Sequence, residues 1–237
     1  YTYNGELQTV NSGAYVLDTE QTIEYINNTF KTVAEGNKKV VTIKVIETAN
    51  YNEASVTVEL TVNRYDLTLT WGEDTFVYDR TNKEVTATIT KLYNDNVYLS
   101  YEENNKVGVG KYVAVAKLEG SDKDNYNIAY NGSFDWEIVQ SPATLEITND
   151  LNKVYDRKPT VDVEYSYSGN GQVTITYIGI DNEYNSNIAP TLAGSYKVIV
   201  SAAKTVEYAA VEVEKEFIIS KATQIINTEN VELVYIY

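Results

Sequence analysis

Phe76-Val77-Tyr78-Asp79-Arg80 returns as Lys153-Val154-Tyr155-Asp156-Arg157 and, loosened, as Tyr1-Thr2-Tyr3-Asn4-Gly5. The three tyrosines lie 75 and 77 residues apart, and self-similarity at a fixed period dictates a chain of like units before any other reading applies. Two further markers keep the same order. Gly36, Gly110 and Gly194 each open a late β run, the last two standing two residues before Tyr112 and Tyr196, where the first copy has Lys38. Ala49-Asn50-Tyr51, Asp124-Asn125-Tyr126 and Glu207-Tyr208-Ala209 then lead into a closing strand.

The runs between markers are β in pattern. Ser55 to Val62 alternates strictly, with Val56, Val58, Leu60 and Val62 on one face and Thr57, Glu59 and Thr61 on the other, so one face is expected to be buried and one wet. Lys39 to Ile46, Leu67 to Trp71, Glu84 to Lys91, Val97 to Tyr101, Tyr112 to Leu118 and Phe134 to Val139 read the same way, as do Ala143 to Thr148, Thr160 to Ser168, Val173 to Ile178, Ser195 to Ala202 and Val211 to Ile219. Gln21 to Thr32 reads as a polar strand and loop, with a short helix as the alternative. Asn- and Asp-rich stretches separate the runs, and Ser168-Gly169-Asn170-Gly171-Gln172 carries a hairpin signal. The expected fold is all-β: three tandem small antiparallel β-sandwiches of immunoglobulin-like type, with a β-grasp-like roll as the alternative.

The units are residues 1–63, a repeat lacking its first strand, 64–141 and 142–221. Residues 222–237 begin a fourth copy and stop at its marker. Modules of this size bury only a little over ~60% of their unfolded surface, so each gains from contact with its neighbours, and a rod is the expected form. No signal peptide or initiating methionine is visible, which leads us to expect a processed chain or a fragment. The incomplete ends have two readings: a longer array cut at both ends, or an assembly device in which Ile225, Val231, Leu233 and Tyr235 of one molecule fill the groove left open in residues 1–63 of the next.

The markers resemble the YDG and MBG repeat domains of large bacterial surface proteins, in the Tyr-Asp or Tyr-Asn-Gly turn, the Gly-x-Tyr strand and the late Asn-Tyr. The resemblance covers essentially the whole chain. Arg80 and Arg157 stand where that turn usually carries glycine, which leaves the turn type open. The resemblance implies a secreted or wall-attached protein with domains stacked as a stalk or adhesive array, whose partners are adjacent repeats, copies of itself, or a host or surface glycan or protein. It brings no catalytic residues.

Chemistry is scarce. Histidine, cysteine and methionine are absent, which removes His-based triads, disulfides and the usual nitrogen and sulfur metal ligands, and no cofactor motif stands out; no enzyme activity is expected. A formal charge of −15 disfavours nucleic acid, and no apolar run is long enough to insert in a membrane. Asp181, Glu183, Asn185 and Asn187 alternate in a polar loop and offer oxygen ligands to calcium, against the simpler reading of a solvated loop. No other cofactor is expected. Asn27 and Asn131 match the glycosylation acceptor pattern, and a Lys–Asn isopeptide crosslink is compatible with the composition. Twenty-two tyrosines allow an aromatic binding surface, although Tyr78, Tyr155, Tyr112 and Tyr196 recur at fixed positions where ring packing and a hydroxyl tied to backbone suffice to explain them.

Overall fold

The computed structural model describes residues 1–33 and 37–225. The chain is all-β, built of small sandwiches of immunoglobulin-like type in tandem. It divides into two compact units, one formed by Tyr1–Phe76 with Arg80–Ile138, the other by Val77–Asp79 with the chain from Val139 onward. No α-helix occurs among the described residues, so a β-grasp roll, which wraps its sheet around one, does not describe the fold.

In the second unit, a five-stranded sheet runs in the order Lys153–Val154, Val211–Ser220, Gly194–Ala202, Val173–Gly179, Asn185–Ser186. The pair Leu145–Ile147 and Tyr165–Tyr167 forms the start of the other layer. Alternation aims Val198, Val200, Phe217 and Ile219 inward, where Ile147, Leu151 and Val163 meet them. In the second copy, Tyr98–Glu102, Gly110–Glu119, Ser133–Val139 and Thr75–Val77 form one sheet, and Tyr65–Thr68 pairs with Tyr126–Tyr130. A third sheet, Ile23–Ile26, Lys38–Val45 and Ala54–Thr61, belongs to the first copy. Gln21 to Thr32 is strand and loop as expected, with Ile23–Ile26 and Thr29–Phe30 extended.

Each marker performs the same backbone task. Its tyrosine amide donates to the end of its own copy's closing strand: Tyr3 N to Asn63 O at 2.9 Å, Tyr78 N to Val139 O at 3.0 Å, and Tyr155 N to Ser220 O at 2.8 Å. The pairing is parallel in the third copy, Lys153 opposite Ile219, and at the Thr2–Asn63 bridge of the first, and Tyr65–Thr68 also runs parallel to Tyr126–Tyr130, all exceptions to the antiparallel expectation. The turn that follows is also conserved in form. Asn4 Oδ1 accepts the Glu6 amide and Asp156 Oδ1 the Lys158 amide, each at 3.0 Å, with the intervening residue left-handed. Gly5, Arg80 and Arg157 sit at φ +80, 69 and 68, so the arginines keep glycine's turn at a cost of about 1 kcal/mol each.

Several expectations are corrected. Residues 168–172 are not a hairpin: Tyr165–Tyr167 pairs with Leu145–Ile147, whereas Val173–Gly179 pairs with Gly194–Ala202, so the loop crosses between layers. Its glycine serves close approach, since a Cβ on Gly171 would stand 1.9 Å from Ala203 O. Thr160 to Ser168 is extended strand only at its end. The Asn149 amide replaces the missing ladder, donating to Asp162 O at 2.7 Å and accepting the Glu164 amide at 2.9 Å. Glu84 to Lys91 splits into Lys83–Glu84 and Ala87–Thr88, which pair with different strands.

The largest departure lies in Ala54–Thr61. Val62 is buried, but Val56 and Val58, on the face expected inside, are 57% and 36% exposed. Val56 lies opposite Ile43, Val58 opposite Val41, and Tyr25 opposite Ile43, so the apolar face is continuous across the sheet. No second layer covers Val56 and Val58 among the described residues.

Candidate functional site

The strongest polar constellation in the chain grows out of two repeat markers. Tyr3, from the first marker turn, is held by its amide to Asn63. Tyr126, from the late Asn-Tyr of the second copy, opens Tyr126–Tyr130 and pairs with Tyr65. Their rings meet edge to face with centroids 5.5 Å apart, the arrangement the aromatic quadrupole favours. Both rings are 2% exposed. Their hydroxyls converge on one carboxylate oxygen: Tyr3 donates to Asp95 Oδ2 at 2.6 Å and Tyr126 to the same atom at 2.5 Å. Tyr126 Oη also accepts the Leu92 amide at 3.1 Å. Burial, reinforced by the hydrogen bond to Asp95, pushes both phenols far above the ordinary tyrosine range.

Around this triad the neighbours close the joint. Asn125, buried beside Tyr126, accepts the Val33 amide on Oδ1 at 2.8 Å. Tyr93 Oη donates to the Glu6 carboxylate. Leu67 and Val97 complete the buried cluster. In the second unit the corresponding tyrosines meet again: the Tyr78 and Tyr208 rings lie edge to face at 6.0 Å. In the repeat register, both contacts set the marker tyrosine of one copy against the late tyrosine of the next.

The Gly-x-Tyr tyrosines are committed elsewhere. Tyr112 Oη donates to Gly108 O at 2.7 Å and Tyr196 Oη to Leu192 O at 2.8 Å, each four residues upstream. Tyr196 stacks on Phe217 at 5.6 Å. These rings are packing pieces, as their fixed positions suggested.

The remaining sequence candidates distribute as follows. Asp181 accepts the Ser195 amide at 3.2 Å and the Asn182 side chain at 2.9 Å, which holds its carboxyl below the usual range. Asn185 lies in the short strand Asn185–Ser186, and Glu183 and Asn187 are exposed. Among the described residues no three His, Cys, Asp or Glu side chains gather as a metal site. Asn131 donates its amide to Leu69 O at 3.2 Å. Lys215 reaches the main-chain oxygen of Asn149, at 2.7 Å, while the Asn149 amide serves the neighbouring strand. Of the assembly candidates, Ile225 is 91% exposed. Val231, Leu233 and Tyr235 lie outside the described residues, as does the Gly36 marker. No helix among the described residues is long and apolar enough to cross a membrane.

Sequence reasoning found both tyrosine markers but missed Asp95 and the fact that the markers meet. The signal was the pairing of an early marker in one copy with a late one in the next.

No family model matches the chain, and no curated protein matches it. Among solved structures it is similar to Drosophila N-cadherin EC1-3, at 9% identity and a TM-score of 0.34, over 94% of this chain and 97% of that one. It is also similar to three N-terminal domains of the bacteriophage RB49 highly immunogenic outer capsid protein, at 14% identity and a TM-score of 0.31, over 93% and 96%.

Proposed function

We propose that the chain is a non-catalytic structural segment, a run of β modules that spaces or presents an adhesive end at a cell surface. The observation that carries this reading is the recurrent contact between marker tyrosine and late tyrosine, made once around Asp95 and once at Tyr78–Tyr208. A chain whose most elaborate buried polar site serves to fix successive copies has its chemistry invested in mechanical continuity. The resemblance to YDG and MBG repeats supports secretion or attachment at a bacterial surface.

The test is Asp95→Ala. It leaves the buried Tyr3 phenol without an acceptor and Tyr126 with only the Leu92 carbonyl at 3.5 Å, and an unsatisfied hydroxyl costs about 1–3 kcal/mol. We expect the first unit to lose about 2–3 kcal/mol in urea unfolding and its cooperative transition to broaden or split. An unchanged curve overturns the joint as a structural device.

A second reading, favoured by the uncovered Val56 and Val58, is a filament subunit in which residues 222–237 of one molecule complete the first copy of another by strand addition. Deleting residues 222–237 then abolishes assembly while the remaining sandwiches stay folded.

A further inference from the structure

The last strand of the first copy, Ala54–Thr61, lies at the edge of its sheet. It pairs with Lys38–Val45 on one side, and no described residue bonds to its backbone on the other side from Ala54 to Leu60. The hydrogen bonds at its end fix which residues face that open side. Val62 turns inward, its amide donating to Asn37 O at 2.8 Å, whereas Asn63 turns outward, its carbonyl accepting the Tyr3 amide at 2.9 Å. Alternation back along the strand then aims the N–H and C=O of Ser55, Thr57 and Glu59 outward. An open edge of this kind is a template for another strand unless something guards it.

The counterpart edges are guarded. Laying the Tyr155–Ser220 bond on the Tyr3–Asn63 bond sets Glu212, Glu214 and Glu216 at the places of Ser55, Thr57 and Glu59. That copy has Leu145–Ile147 and Lys153–Val154 ahead of this strand, yet the outer pairing reaches only Ile219 and Ser220, so an open outer edge at these places is a property of the module. There the glutamates would oppose one another in any pairing of the strand with itself, and like charges face to face are destabilising. In the second copy the same alignment, on Tyr78–Val139, gives Asn131, Ser133 and Asp135. Asn131 stands at φ 59, outside the strand, and its carbonyl is capped by the Trp71 indole at 2.8 Å. The first copy has neither device.

We propose that two copies of this chain pair side by side through Ala54–Thr61, antiparallel about a two-fold axis through Thr57. The strand itself sets the register. Thr57 meets Thr57 of the partner subunit and Ser55 meets Glu59 of the partner subunit, all through outward-facing backbone groups, so each pair exchanges hydrogen bonds both ways. Val56 falls opposite Val58 of the partner subunit, in the non-hydrogen-bonded position where side chains approach most closely, and the exposed apolar faces of the two sheets become one. Glu59, the one acid in the span, stands opposite a serine and keeps its ion pair with Lys38 at 2.5 Å. Moving the axis to Glu59 would set glutamate on glutamate, and moving it to Ser55 would run the pair off the end of the strand. The contact is small and of the weak, reversible class, and because it is isologous it closes at two molecules.

The experiment is sedimentation of the whole protein from about 10 μM to about 1 mM in about 150 mM NaCl, where such contacts are populated and net charge is screened. The wild type is expected to rise from 26.6 kDa toward twice that mass and to stop there. Thr57→Pro stays at the monomer mass, because it removes the central donor from both strands, while an edge position whose N–H faces outward accepts proline in the folded sheet. Thr57 is exposed, so Thr57→Glu and Thr57→Lys both fold; each alone associates about fivefold more weakly, with like charges facing across the axis. Mixed in equal amounts they form a dimer at least as strong as the wild type, which a variant that had merely unfolded would not do. A wild type that stays at the monomer mass overturns the proposal, as does a mixture of the two charge variants that pairs no better than either alone. Association that grows past the dimer, or that survives Thr57→Pro and is lost on deleting residues 222–237, also overturns it and assigns assembly to head-to-tail strand addition.

Discussion

Tyr3 and Tyr126 place two phenols on one carboxylate in a site closed to water, and alkali is the natural probe of that arrangement. Their folded-state pKa values are raised above the unfolded value near 10, first by burial and then by the bond to Asp95. Above that value the unfolded chain gives up these protons while the folded chain keeps them, so the unfolded state binds fewer and stability falls as pH rises. Urea midpoints of the first unit are therefore expected to be level from neutral pH to about 9 and to decline beyond about 10. Tyr3→Phe lowers the neutral midpoint but flattens the decline, because one of the two groups no longer titrates. The tyrosines were legible in the sequence as markers. Asp95 was not, since it sits in an Asn-Asp loop with nothing local to single it out, and only the fold brings it 92 residues back to Tyr3.

Strands follow the alternation of the sequence wherever a second layer exists to receive it. Gly194–Ala202 and Val211–Ser220 were placed to within a residue, because Val198, Val200, Phe217 and Ile219 each find apolar neighbours across the sandwich. Ala54–Thr61 was placed equally well as a strand, yet its burial was misjudged, because alternation reports which face is apolar and not whether anything covers it. The two valine sites therefore respond differently to the same truncation. Val200→Ala is expected to cost about 2 kcal/mol through a buried cavity, and Val56→Ala less than about 0.5 kcal/mol, as read from unfolding midpoints. The segment at 160–168 and the loop at 168–172 escaped for another reason: an Asn149 side chain replaces ladder bonds in one, and a backbone collision excludes a side chain in the other. Neither leaves a periodic trace.

For the molecule as a whole, the charge of −15 opposes the association of copies that strand addition would bring about. The repulsion acts at long range and is screened as the Debye length shrinks from ~30 Å at 10 mM salt to ~8 Å at physiological strength. A strand added to a sheet edge is held by short-range backbone hydrogen bonds and apolar contact. Self-association is therefore expected to strengthen between about 10 and 150 mM NaCl, the reverse of a contact driven by surface charge pairs, and light scattering across a salt series checks the sign.

The parallel pairing of Lys153–Val154 with the end of Val211–Ser220 has a mechanical meaning. A pull along the chain drags the first of these strands backward by its leading end and the second forward by its trailing end. The two slide past one another, so the rungs at Lys153–Ile219, Val154–Ser220 and Tyr155–Ser220 share the load and must break together. An antiparallel tie at the same place would peel open one rung at a time. The marker turn that announces each copy in the sequence is thus also the clasp that makes the copy resist being stretched.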